Sequence, residues 1–107
     1  MEASQLLANN AELVITNEDT QGRVTVPVAG DGSAVNASAT PLGTFAGVNG
    51  TIYRIVGLSD TNTVAFSSND AANGIVLNGL ATLGRFDMLE IQWIAAESRF
   101  VELSRNF

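Results

Sequence analysis

Three Asn-Gly pairs, Asn49-Gly50, Asn73-Gly74 and Asn78-Gly79, divide the second half of this chain into short apolar runs. Asn-Gly readily supplies the two consecutive positive-φ residues of a type I′ turn, so each pair reads as a point where one strand reverses into the next. Around them lie Thr51 to Val56, Thr63 to Phe66, Ile75 to Leu77, Ala81 to Leu83, Met88 to Ile94 and Phe100 to Ser104. These runs are short for helices and rich in residues that suit a pleated surface. Upstream, Leu13-Val14-Ile15-Thr16 is a further run of strand formers, bounded by a polar loop from Asn17 to Gly22. Arg23-Val24-Thr25-Val26-Pro27-Val28 alternates, with three valines on one face. Pro27 lacks a ladder donor and places that strand at an edge or a bend. Residues 29–40 (AGDGSAVNASAT) are small and polar and read as a long loop, with Asp31-Gly32 as an alternative hairpin closure. Short strands separated by turns predict an all-β fold, a compact antiparallel β-sandwich, barrel or β-prism.

Residues 1–11 read differently. Glu2 to Ala11 is the one stretch with any helical character, but it is short and runs into Asn9-Asn10, so an extended arm is as consistent as a single helical turn. The expected organisation is an N-terminal arm or short helix over 1–11 and a single all-β domain over 12–107. Leu6 and Leu7 suit an anchor on a neighbour or on the domain itself better than a free tail.

Composition removes whole classes of chemistry. The chain has 107 residues, no cysteine, no histidine and no lysine, and all five basic residues are arginines. No disulfide, thiolate nucleophile or Zn–Cys site can form. There is no imidazole to serve as a base or ligand, and no lysine for a Schiff base or a P-loop. A net charge of −6 opposes a phosphate backbone, so no nucleic-acid partner is expected. No apolar run reaches the roughly 20 residues of a membrane helix, and Met1 to Ala8 lacks the basic flank of a signal peptide. The expected setting is a cytoplasm, or a particle assembled there, with no membrane partner. Charged residues make up 15% of the chain against roughly 25% in ordinary soluble domains, which fits a surface partly covered by copies of itself.

The remaining polar residues do not form a familiar catalytic pattern. Asp87 and Glu90 stand three apart, so on one strand they point to opposite faces, whereas sugar hydrolysis needs two converging carboxyls. Asp31-Gly32-Ser33 and Asn69-Asp70 are only fragments of a calcium loop. No enzyme activity, cofactor or metal is expected. Tyr53 and Trp93 could stack on a sugar but sit in apolar strand contexts that favour the core. The arginine fork suits buried pairing with carboxylates, and Arg99 and Arg105, with Glu97 and Glu102, are the candidates for intersubunit ion pairs.

The order of pieces in the second half carries a resemblance. Gly50-Thr51-Ile52-Tyr53-Arg54-Ile55-Val56-Gly57-Leu58 is followed by Asn62-Thr63-Val64-Ala65-Phe66, then by Gly74-Ile75-Val76-Leu77-Asn78-Gly79. Phe86-Asp87-Met88-Leu89-Glu90-Ile91-Gln92-Trp93 and Phe100-Val101-Glu102-Leu103-Ser104-Arg105-Asn106 complete it. Over roughly residues 43–107 this cadence resembles the small trimeric β-modules of tailed-phage virion proteins, with Phe100 where those modules commonly carry tryptophan. The resemblance implies a non-enzymatic homotrimer on a particle. With no long shaft, a module of this size resembles a capsid decoration (cement) protein on the capsid exterior, with the major capsid protein as its partner. A receptor-binding or adhesion knob of a tail or head fibre is the alternative. A small lectin-like or carbohydrate-active bacterial domain is a third reading. On the first reading Leu6, Leu7 and Leu13 of the arm carry capsid contacts. Leu89, Ile91, Trp93, Val101 and Leu103 form the core and the trimer contact.

Overall fold

A computed structural model describes residues 5–15, 23–43 and 50–107. Their regular structure is entirely β: β1 (Gln5–Leu7), β2 (Glu12–Ile15), β3 (Arg23–Gly30), β4 (Val35–Asn36), β5 (Ser38–Gly43), β6 (Ile52–Gly57), β7 (Val64–Phe66), β8 (Ile75–Val76), β9 (Ala81–Leu83), β10 (Met88–Ile94) and β11 (Arg99–Asn106). A six-stranded sheet in the order β1-β3-β6-β10-β11-β8 curls into a half barrel. The sheet β4-β7-β9 and the pair β2-β5 accompany it.

Burial alternates strictly along β6 and β10, as the period-2 pattern requires. The inward set includes Val24, Val26 and Val28 of β3, Tyr53 and Ile55 of β6, and Leu89, Ile91 and Trp93 of β10. Val35, Val64, Phe66, Ala81 and Leu83 of the smaller sheet belong to the same core cluster. An aromatic group sits within it. The Phe100 ring lies 5.7 Å from Tyr53 at an interplanar angle of 71° and 4.8 Å from Trp93 at 55°, the edge-on and tilted contacts that ring quadrupoles favour. Tyr53 and Trp93 are thus core residues, as their strand contexts imply.

The antiparallel expectation is corrected. Among the described residues β1–β3, β3–β6, β8–β11, β2–β5 and β4–β7 pair parallel. Only β6–β10, β10–β11 and β7–β9 pair antiparallel. The reason lies in the connections, because consecutive strands mostly belong to different sheets. Asn73-Gly74 precedes β8 and Asn78-Gly79 separates β8 from β9, which do not pair. Within these two pairs only Asn73 (φ 64°) and Gly79 (φ 97°) take positive φ, so neither pair makes the type I′ turn. Asn49 lies outside the described residues. The β10–β11 hairpin instead turns through Ala95–Ser98, closed by Glu97 and Ser98 amides on the Ile94 and Ala95 carbonyls, with Ser98 at φ 52°.

Two further expectations change. The anticipated loop over 29–40 holds the end of β3, all of β4 and the start of β5. Small residues there suit backbone pairing at close quarters, since the Gly30 and Val35 amides bond the Asn62 and Thr63 carbonyls. Pro27 lies inside a strand with neighbours on both sides, but β1 begins its pairing at Val28. Among the described residues, the half of β3 that carries Pro27 has no strand on its β1 side, the position that tolerates a missing donor.

Residues 5–15 are woven into the domain. Asn10 N bonds the Asn36 carbonyl, and Asn36 N bonds Asn9 Oδ1 at 2.9 Å. The Gln5 amide imitates a peptide unit: Nε2 donates to the Val14 carbonyl at 2.7 Å while Oε1 accepts from Val14 N at 3.0 Å. Leu7 and Leu13 are buried in the core.

Candidate functional site

Four exposed large apolar side chains belong to residues at one end of the six-stranded sheet, spread across it from β1 to the end of β11. Register places Leu6 opposite Ala29, and the Leu58 amide bonds the Val28 carbonyl. The Phe86 amide bonds the Gly57 carbonyl, and Met88 pairs with Asn106, the residue before Phe107. Leu6, Leu58, Phe86 and Phe107 thus cap the same end and are 67%, 41%, 65% and 50% exposed. Single exposed apolar residues are ordinary, and it is their shared end of the sheet that makes these four candidates for a contact surface.

Phe86 is the most constrained member. Its φ is 68°, the left-handed region, an outlier for a bulky side chain. The turn is overdetermined by carboxylates: Asp87 Oδ2 accepts from Gly84 N at 2.8 Å, and Asp60 Oδ1 accepts from Arg85 N at 2.9 Å. The Arg85 guanidinium lies 4.6 Å from the Phe86 ring centroid, a cation–π contact that keeps an arginine fork beside an exposed ring.

A polar row crosses the outer face of the same sheet. Glu90 stands opposite Arg54 on one side and Ser104 on the other. Its Oε2 takes Arg54 Nη2 at 3.3 Å and its Oε1 takes Ser104 Oγ at 2.9 Å. Arg54, Met88, Glu90, Ser104, Arg105 and Asn106 line an open depression of ≈ 260 Å³. Within it Arg54, Glu90 and Ser104 engage one another.

The third feature is a clasp at the far side of β11. A bulge between Glu90 and Ile91 leaves Leu103 without an opposite residue, so Glu102 and Arg105 both come to the inner face. Arg105 Nε and Nη2 donate to Glu102 Oε2 and Oε1 at 2.8 and 2.6 Å. Glu102 Oε1 also accepts from Asn78 N at 2.9 Å, while Arg105 Nη1 and Nη2 donate to the Leu80 and Gly79 carbonyls. The Glu102 side chain is 5% exposed and that of Arg105 25%. Bonding to Arg105, helped by the Asn78 amide, holds the Glu102 carboxyl below the ordinary carboxylate range against the opposing effect of burial. The same bonds raise the Arg105 guanidinium. This clasp ties residues 78–80 over β11 beyond the short stretch that β8 covers.

The residues singled out from sequence fall into groups. Leu89, Ile91 and Trp93 are core, but Val101 and Leu103 are 37% and 49% exposed, on the outer face and in the bulge. Of the leucines assigned to capsid contact, Leu6 alone is at the surface, because Leu7 and Leu13 supply core volume. Arg105 and Glu102 do pair, within one chain. Arg99 pairs with Asp70, Nε to Oδ1 at 2.6 Å, and donates to the Glu97 backbone carbonyl. Sequence reasoning missed Phe86 and Leu58, whose exposure follows from turns that no local pattern announces.

Among the described residues no group of three or more acidic side chains is placed to hold a metal ion. No helix among them is long and apolar enough to cross a membrane, which bears on helical spans alone. No family model, curated protein or solved structure matches this chain.

Proposed function

We propose that this chain is a non-enzymatic assembly module, a homotrimeric decoration protein on the exterior of a tailed-phage capsid. The observation that carries the reading is the exposed apolar end formed by Leu6, Leu58, Phe86 and Phe107. In this reading that end docks on the major capsid protein, while Val101, Leu103 and Leu80 along the β11 side face neighbouring copies. The charges on that side, Arg105 with Glu102 and Arg54 with Glu90, already have partners in the same chain, so packing against it strands no ion. Many weak copies on a symmetric shell then act with avidity. The motif order over residues 43–107 gives the reading its virion context.

The strained Phe86 turn favours a second reading, a receptor-binding or adhesion knob, because a ring held at positive φ beside a guanidinium is ready for an incoming ligand.

Antibody-gold labelling of virions from the source culture separates the two. Gold spread over the heads supports decoration; gold confined to fibre tips supports the knob; virions without label overturn both. Purified protein is expected to sediment as a trimer. Leu6→Asp with Leu58→Asp should abolish capsid binding and leave that trimer intact. Leu7 is unsuitable for this test because a charge there would enter the core.

A further inference from the structure

Two described Asn-Gly pairs share the same local chemistry and differ in what the fold does to the glycine amide. Gly74 N donates to the Ala71 carbonyl at 2.8 Å, and the site is crowded: a Cβ on Gly74 would stand 2.3 Å from the Asn69 carbonyl oxygen. Asn73 N is also engaged, with the Ser98 carbonyl at 2.7 Å. Gly79 N makes no hydrogen bond among the described residues, and a Cβ built there would meet nothing within 4 Å. Asn78 and Gly79 are both exposed.

We propose that Asn78 is a site of spontaneous self-modification, deamidating through a succinimide, and that the product loosens the Glu102–Arg105 clasp. Gly79 N attacks Asn78 Cγ. The N–Cγ bond forms, the Cγ–Nδ2 bond breaks, and the departing amide nitrogen takes the Gly79 proton and leaves as ammonia. Water then opens the ring. Addition at Cγ gives aspartate, and addition at the main-chain carbonyl gives isoaspartate, in which the chain runs through the former side chain. At Asn73 the same attack first requires breaking the Gly74–Ala71 hydrogen bond in a space already filled by backbone.

The consequence follows from the clasp geometry. Asn78 N bonds Glu102 Oε1, and the Gly79 and Leu80 carbonyls hold Arg105. Either product places a new carboxylate beside the Glu102 carboxylate, a like charge within the Debye length. Isoaspartate also lengthens the chain between the two anchored atoms. Residues 78–80 then hold β11 less firmly.

The test is to age the purified full chain at neutral pH and to map the Asn-Gly peptides by mass spectrometry, reading the exchange of NH for O and the isoaspartyl content. Asn78 should convert about tenfold faster than Asn73, the factor that one backbone hydrogen bond of about 1.4 kcal/mol gives. In urea the gap should shrink to what the flanking residues set, Ala72 and Ile75 against Leu77 and Leu80, because unfolding removes the hydrogen bond and the crowding at Gly74. Equal rates in the folded protein, or a tenfold gap that persists undiminished in urea, overturn the proposal. Asn78→Asp should lower the thermal midpoint relative to Asn78→Gln, and equal midpoints would overturn the link to the clasp.

Discussion

Removing the two halves of the Glu102–Arg105 clasp separately should have unequal effects, and the order is set by burial. Arg105→Met keeps the apolar stem but strands a carboxylate whose side chain is only 5% exposed, with the Asn78 amide as its one remaining donor among the described residues. Breaking a buried pair costs about 3–5 kcal/mol; Arg105 is a quarter exposed and water can enter where it stood, so about 3 kcal/mol is expected. Glu102→Gln keeps an oxygen for Asn78 or Arg105 and leaves the arginine with the Gly79 and Leu80 carbonyls. That change should cost about 1.5 kcal/mol, roughly one charge-assisted hydrogen bond. In the Arg105→Met background the sign reverses, because Glu102→Gln now removes an unpaired buried charge and should recover about 1 kcal/mol. The coupling energy is then about 2.5 kcal/mol, within the range of contacting pairs. Equilibrium urea unfolding at pH 7 measures all four proteins, with the single tryptophan, Trp93, 3% exposed in the core, as the fluorescent reporter. If Glu102→Gln costs the same in both backgrounds, the pair is not coupled and the clasp does not hold β11 as described.

The pH dependence of the same pair has a definite direction. Glu102 is lowered in the folded state, so its contribution is complete above the ordinary glutamate value of about 4.3 and is lost as pH falls through the lower folded value. Thermal melts followed by circular dichroism should therefore show a constant gap between the native chain and Glu102→Gln from neutral pH to about pH 5, narrowing below about pH 4. A gap that widens on acidification would contradict the sign. Gly57→Ala should cost about 3 kcal/mol in urea unfolding, because its Cβ would stand 2.0 Å from the Gly84 carbonyl oxygen and backbone cannot rotate aside. Gly32→Ala, with open space but φ 77°, should cost only about 1 kcal/mol; equal costs would refute the steric account.

Sequence alone determined the class of structure and the identity of most strands. Period-2 alternation is a local property of β3, β6 and β10, so Val24, Val26, Leu89, Ile91 and Trp93 announce an inward face before any partner is known. Missing cysteine, histidine and lysine also exclude chemistry without reference to fold. Pairing was not legible. Whether β3 lies parallel to β6 depends on where the intervening chain crosses between sheets, and no Asn-Gly pair records that choice. The inward turn of Glu102 and Arg105 likewise rests on one bulge at Leu103, which offsets the alternation of β11 and is invisible to a period count. Leu6 and Leu7 show the limit most plainly. Adjacent and identical, one is 67% exposed and the other 4%, because a strand sends successive side chains to opposite faces and only the docking of β1 on β3 decides which face meets the core.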